Sequence, residues 1–338
     1  MTHKSGTLAA FLMFCWAAVQ AVTANDSPSL LMLSTGQTPT MTEFPVPTVR
    51  AGLAGITRAA DGSFWFTETS ANKIGRMTSS GVFTEYAVPT LASAPEAITT
   101  SPDGYVWFTE HYGHKIGRIG QAGGAIAEFT VPGVGAFPTA ITTDSRGKVW
   151  LASNQQPGTA RIGSISSAGV ITLVPTAASL TYITGIVSGP DGNLWVTQVS
   201  SYWGDSIAKV NTAGWGTFTN YKLADHSAGP QGIAAGPDGD LWFTESNSNK
   251  IGRITTTGLI AEFALSAGAR PRQIVSGPDG NLWFTEPASN QIGRITTWGQ
   301  ATEFVVPTVS SQPFGITTDP NGRLYFTEKA ADRIGRIE

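Results

Sequence analysis

The chain has 338 residues, of which 41% are hydrophobic and 13% charged; this excludes a disordered polymer and suffices for one large domain or two ordinary ones. Its 39 Gly and 20 Pro are spread evenly, which marks regular tight turns rather than a linker. A formal net charge of −3 provides no basic surface for nucleic acid.

Residues 1–24 read as a signal peptide. Lys4 supplies the positive start, an apolar run spans Leu8 to Val19, and Val22-Thr23-Ala24 has the form of a cleavage site, with Ala21 an alternative. A buried apolar strand or helix is the other reading of this run. It is too short to span a membrane, and no later apolar run is long enough to do so. The expectation is a secreted or otherwise exported protein. The single cysteine, Cys15, lies inside the peptide, so the mature chain is expected to have no disulfide and no thiol chemistry. Asn25-Asp26-Ser27 has the form of a glycosylation sequon, and residues 25–41 read as a flexible leader.

From Thr42 onward one motif of about 40–45 residues recurs seven times. Its plainest copy is Gly232-Ile-Ala-Ala-Gly-Pro-Asp-Gly-Asp-Leu-Trp-Phe-Thr-Glu245, then Lys250-Ile-Gly-Arg-Ile254, then Ala261-Glu-Phe263. The aromatic that opens the second run recurs as Trp65, Trp107, Trp150, Trp195, Trp242, Trp283 and Tyr325. Asp-Gly pairs such as Asp103-Gly104, Asp191-Gly192 and Asp279-Gly280 separate the first two runs, a tight-hairpin signal because both residues accept positive φ. A glycine inside the third run, as at Gly75, Gly117 and Gly252, predicts close backbone approach by a neighbouring strand or blade. Each copy is thus four short antiparallel strands. Such sheets bury their faces by packing on one another, and a closed ring removes the end faces that an open solenoid would leave. The chain ends after a third strand, at Ile337-Glu338, while an unassigned strand Thr42-Glu43-Phe44-Pro45 stands at the start. The prediction is an all-β, seven-bladed propeller over 42–338, its last blade closed by the N-terminal strand.

Function should lie where the copies differ. The residue two before each inner-strand isoleucine is Ala54, Glu96, Thr139, Thr184, Gln231, Arg272 and Phe314 in turn; these should ring the channel mouth. Loops on the same face carry His111, Tyr112, His114, Tyr182, Tyr202, Trp203, His226, Arg270 and Gln312. Mixed polar and aromatic groups around a concavity suit a small-molecule site. Each has a plainer reading. His111 and His114 have loop spacing and no evident third metal ligand, so a solvated loop is the alternative to a metal pair. Tyr202 and Trp203 stack on a ligand or cover their own loop. Arg270 and Arg272 bind an anion or pair with nearby carboxylates. Trp215 and Trp298 fall in turns on the opposite face. Glu68, Glu110, Glu245, Glu286 and Glu328 all end second strands; five copies predict an exposed scaffold role, pairing with third-strand Lys or Arg. No metal motif is visible.

The run from Pro278 to Ile295, Pro-Asp-Gly-Asn-Leu-Trp-Phe-Thr-Glu followed by Gln-Ile-Gly-Arg-Ile, resembles the virginiamycin B lyase (streptogramin lyase) family, and the likeness extends over about 42–338. The resemblance implies a seven-bladed propeller that opens a cyclic depsipeptide by elimination, with a histidine base and a bound Mg²⁺. It places two functional histidines, each after a proline, before the last two inner strands. Here those places read Arg270-Pro271-Arg272 and Gln312-Pro313-Phe314. Gln312 stands where a family glutamate is expected, and Glu328 alone matches one. Arg272 stays protonated and Phe314 has no proton to exchange, so neither replaces the base. Glu328 and Glu286 are the other catalytic candidates.

Three functions follow as expectations. The mouth binds a small natural-product-type ligand and runs non-lyase chemistry by positioning, as in the cycloadditions associated with similar fungal propellers. Alternatively the chain is a streptogramin B-type C–O lyase, and only then needs Mg²⁺; otherwise no cofactor is expected. The third is a non-catalytic module for a glycan, peptide or envelope partner.

Overall fold

The computed structural model describes residues 39–155, 159–175, 181–212 and 217–338. The expected signal peptide, Cys15, the expected sequon, Trp215 and most of the expected leader lie outside the described residues. Seven four-stranded antiparallel sheets form the blades of a closed propeller. Blades one to six occupy 53–87, 95–130, 136–175, 182–222, 230–264 and 274–305. Blade seven takes three strands from 313–337 and its outermost from Met41–Pro45, which pairs antiparallel with Arg333–Ile337 in the register Thr42 to Arg336. The closing strand begins one residue earlier than expected. Thr40 and Glu338 extend the ladder further, exchanging backbone hydrogen bonds of 2.9 and 3.0 Å, so these two residues belong to the ring rather than to a leader.

The second strand is the heart of each blade. Leu241–Glu245 is buried at every position, because a sheet pressed between two neighbours has no solvent side. Its residues alternate between neighbours. Trp65 packs on Val106 and Phe108 of the next blade, Trp242 on Leu282 and Phe284, and Trp283 on Leu324 and Phe326. Tyr325 takes the same place against Leu53, Phe64 and Phe66 and so seals blade seven to blade one. The core is therefore a set of radial seams. Each tryptophan contributes roughly 4–6 kcal/mol of burial free energy before entropy is counted.

The predicted glycine contacts are with a strand of the same blade. A Cβ at Gly75, Gly252 or Gly335 would stand 2.1 Å from the ring of Phe66, Phe243 or Phe326 on the adjacent second strand. The glycine makes room for the ring that packs on the preceding blade.

Candidate functional site

Blade three carries Ser153 at the second-strand threonine position, its Oγ buried without a partner among the described residues, and Thr109 of blade two accepts from the Ala97 amide, but in the other five blades the second-strand threonine fixes the mouth. Its hydroxyl donates to the carbonyl of the ring residue in the next blade: Thr67 to Glu96 at 2.8 Å, Thr244 to Arg272 at 2.8 Å, Thr285 to Phe314 at 2.8 Å. The same oxygen accepts from the inner strand of its own blade, as Thr285 Oγ1 does from the Gln273 amide at 3.1 Å. Thr327 donates to the Ala54 carbonyl at 2.7 Å and carries the relay across the closure. In those blades the varying side chains are held on a repeated hydrogen-bond relay.

These residues surround a cavity of about 150 Å³ lined by Glu96, Thr139, Thr184, Gln231, Arg272 and Phe314, with Ile56, Ile98, Ile141, Ile186, Ile233 and Ile316 also in its wall. The ring prediction holds for six positions. Ala54 is the exception: it is 1% exposed, and its small side chain leaves Gly55 and Ile56 to line the cavity in blade one. The hydroxyls of Thr139 and Thr184 are engaged with the carbonyls of Ile183 (3.1 Å) and Pro230 (2.7 Å), which makes them framework rather than free ligand groups.

The charged part of the mouth is concentrated on one side. The Arg272 guanidinium lies 4.1 Å from the ring centroid of Phe314, and Lys329 Nζ lies 4.6 Å from the same centroid. Arg272 Nη2 stands 3.9 Å from Glu96 Oε1, beyond hydrogen-bond reach, and its Nε is buried without an acceptor. Burial pulls the Arg272 pKa down, countered by Glu96. Burial also lowers Lys329, and the neighbouring Arg272 charge adds to that. Lys329 follows the repeated Thr-Glu, where other blades carry Thr69, His111, Ser246 and Pro287, so the sequence shows it as a varying position; the contact with Phe314 is what places it at the mouth.

The remaining predicted residues do not line the cavity. His111, Tyr112 and His114 gather around Phe137, with centroids 5.3, 6.4 and 4.9 Å from its ring. His114 Nδ1 is 2.6 Å from the Ala136 carbonyl, and its φ of 56° matches Asn72 and Asn249 at the same turn of other blades. This is loop construction, and among the described residues no three His, Cys, Asp or Glu groups converge as a metal site. Tyr202 and Trp203 meet edge to face at 5.2 Å and are exposed, with His226 close to the intervening Gly204. Tyr182 is exposed at the start of its inner strand. Arg270 and Gln312 are exposed turn residues with φ of 46° and 55°, held by Asn249 and Asn290. Trp298 is exposed in a turn of the opposite face. A further feature is a set of outward apolar side chains in the loops entering blades seven, one, two and three: Val309, Val49, Leu91 and Val134 are 84, 83, 88 and 90% exposed. By strand direction these loops lie on the same face as the mouth, although none of the four lines the cavity.

The five glutamates correct the sequence reading. Glu68, Glu110, Glu245, Glu286 and Glu328 are fully buried. The third-strand lysines reach outward instead: Lys73, Lys115 and Lys250 bond Glu85, Glu128 and Glu262 of the fourth strand at 2.7, 2.7 and 2.6 Å. Among the described residues both carboxyl oxygens of Glu68, Glu110, Glu245 and Glu328 lack a hydrogen-bond partner, while Glu286 accepts from Ser289 at 2.9 Å. Burial first, with the like charge of the fourth-strand glutamate adding to it, pushes all five up to about 7. Neither Glu286 nor Glu328 lines the cavity.

The Mg²⁺ that the family resemblance implies does not fit these residues. Glu328 is buried and half-protonated near neutrality, and the mouth beside it carries Arg272 and Lys329. A divalent cation there would face two positive charges without a cluster of carboxylates to offset them.

Comparison with known proteins agrees with the architecture. The family model for the virginiamycin B lyase family matches residues 22–214 and 160–338. A streptogramin B lyase structure is 35% identical with a TM-score of 0.81, covering 89% of this chain and 98% of that one. A catalytically inactive histidine-to-alanine variant of virginiamycin B lyase from Staphylococcus aureus, solved with quinupristin, is 34% identical with a TM-score of 0.81, covering 88% of this chain and 99% of that one. A virginiamycin B lyase of Bacillus licheniformis is 51% identical over 41 residues, 12% of this chain and 14% of that protein's length. The propeller described above belongs to the virginiamycin B lyase family.

Proposed function

We propose that the mature protein is exported and binds a natural-product-sized ligand, of the cyclic peptide kind, across the channel mouth, with chemistry that does not run through the family's histidines. The observation that carries this reading is the mouth itself: Glu96, Gln231, Arg272 and Phe314 differ from blade to blade yet converge on one cavity. That cavity, about 150 Å³, is smaller than the roughly 300–1,000 Å³ that encloses a drug-sized ligand. A ligand therefore inserts one group and lies over the apolar loop residues Val309, Val49, Leu91 and Val134 of that face. Catalysis at such a site draws on positioning, because Arg272 and Phe314 stand where the family's histidines are expected.

Family membership favours a second reading, lactone opening by elimination. One incubation separates the two. Quinupristin is added to the purified protein with and without chelator, and both binding and product mass are measured. The expected outcome is binding that survives chelation, with the lactone intact. Chelator-sensitive ring opening at unchanged mass would establish elimination and overturn the proposal; gain of one water would indicate hydrolysis. No binding would remove the cyclic-peptide ligand.

A further inference from the structure

The two cations at the mouth share one nearby anion, Glu96. Among the described residues the Arg272 guanidinium makes no hydrogen bond, its nearest ion-pair partner being Glu96 at 3.9 Å, and Lys329 Nζ has no carboxylate within ion-pair distance. Both lie against the ring of Phe314, which is 7% exposed, and Arg272 and Phe314 line the cavity. Like charges held together in a partly buried site are costly, and partial desolvation makes each cation a stronger partner for an anion. Two cations against the single carboxylate of Glu96 leave one positive charge to be met.

We propose that Arg272 and Lys329 form a subsite for a monoanion, specifically a carboxylate carried on an apolar or aromatic body. The guanidinium offers a planar fork that matches a carboxylate, and Lys329 offers a point charge on the same side. Phe314 and the isoleucines of the cavity wall take the apolar body. A phosphate dianion exceeds the one charge available and leaves the apolar wall unused. The proposal names the group inserted at the mouth and rests on the reading of that mouth as a ligand face.

The test uses phenylacetate, its neutral isostere phenylacetamide and inorganic phosphate, titrated at millimolar concentration into the full mature protein with NMR detection. Phenylacetate is expected to bind at least about tenfold more tightly than phenylacetamide or phosphate. Arg272→Met and Lys329→Met should each weaken phenylacetate about tenfold at unchanged melting temperature, whereas Glu96→Gln should strengthen it by removing the competing carboxylate. Equal binding of acid and amide, preference for phosphate, no binding of phenylacetate, or indifference to both substitutions overturns the subsite. Quinupristin distinguishes the parent reading: if it still binds and is weakened by substitutions at the mouth, the ligand face stands and only the anion subsite falls. If phenylacetate behaves as expected and quinupristin does not bind, the subsite stands and the cyclic-peptide reading falls.

Discussion

Glu245 shows how a residue type misleads until its surroundings are known. A glutamate repeated at strand ends suggests a solvated ion pair, yet its carboxyl is sealed in the seam and pushed up to about 7 from an ordinary 4.5. The folded state then holds a proton that the unfolded chain has released between those values. The stability these five groups provide is fully present below about pH 4.5 and is lost as pH rises through about 7. Glu85, Glu128 and Asp191 act oppositely. Though burial raises them and is the largest single influence, hydrogen bonds from Lys73, Lys115 or Lys209 together with those from Thr48, Thr90 or Asn193 outweigh it, and the stability they give is lost only in stronger acid. The melting temperature should therefore fall between about pH 5 and pH 8. Glu245→Gln, neutral throughout, should flatten that fall and raise stability at the alkaline end. Thermal denaturation across pH checks this; a slope unchanged by the substitution would refute the neutral-carboxyl account.

At the scale of the element, the N-terminal strand decides whether the ring is closed. Met41–Pro45 supplies the outer edge of blade seven, and Glu43 accepts from the Thr308 amide and hydroxyl at 2.9 and 2.7 Å while facing Arg333 at 3.5 Å. The Asp332 carboxylate in turn accepts from the amides of Arg50 and Ala51, at 2.6 and 2.9 Å. Deleting residues 25–46 removes the strand and exposes a bare edge; deleting 25–39 spares it. The longer deletion should lower the melting temperature by on the order of 10 °C relative to the shorter, as calorimetry would record. Equal melting of the two would show that closure does not depend on this strand.

At the scale of the whole molecule, the fold was legible because each blade repeats the same burial problem. Trp-Phe-Thr-Glu marks a strand buried on both sides, Asp-Gly marks a hairpin, and their spacing places the inner-strand isoleucines that locate the mouth. The ring residues Glu96, Gln231, Arg272 and Phe314 follow from that frame. What a repeat cannot reveal is contact between unlike loops. Lys329 belongs to the mouth only through its approach to Phe314, and His111 and His114 turn out to be packed around Phe137. Burial of the glutamates was hidden for the same reason, since it depends on the neighbouring blade.

Whether function resides on the mouth face is decided by calorimetric affinity for quinupristin in Arg272→Ala, Trp203→Ala and Trp298→Ala proteins. Arg272 lines the cavity, Trp203 stands exposed on a loop of the same face, and Trp298 stands exposed on the opposite face. The account predicts that Arg272→Ala weakens binding at least about tenfold, Trp203→Ala weakens it less, and Trp298→Ala leaves it unchanged, with all three melting as the parent does. Loss of binding in Trp298→Ala with Arg272→Ala unaffected would contradict it.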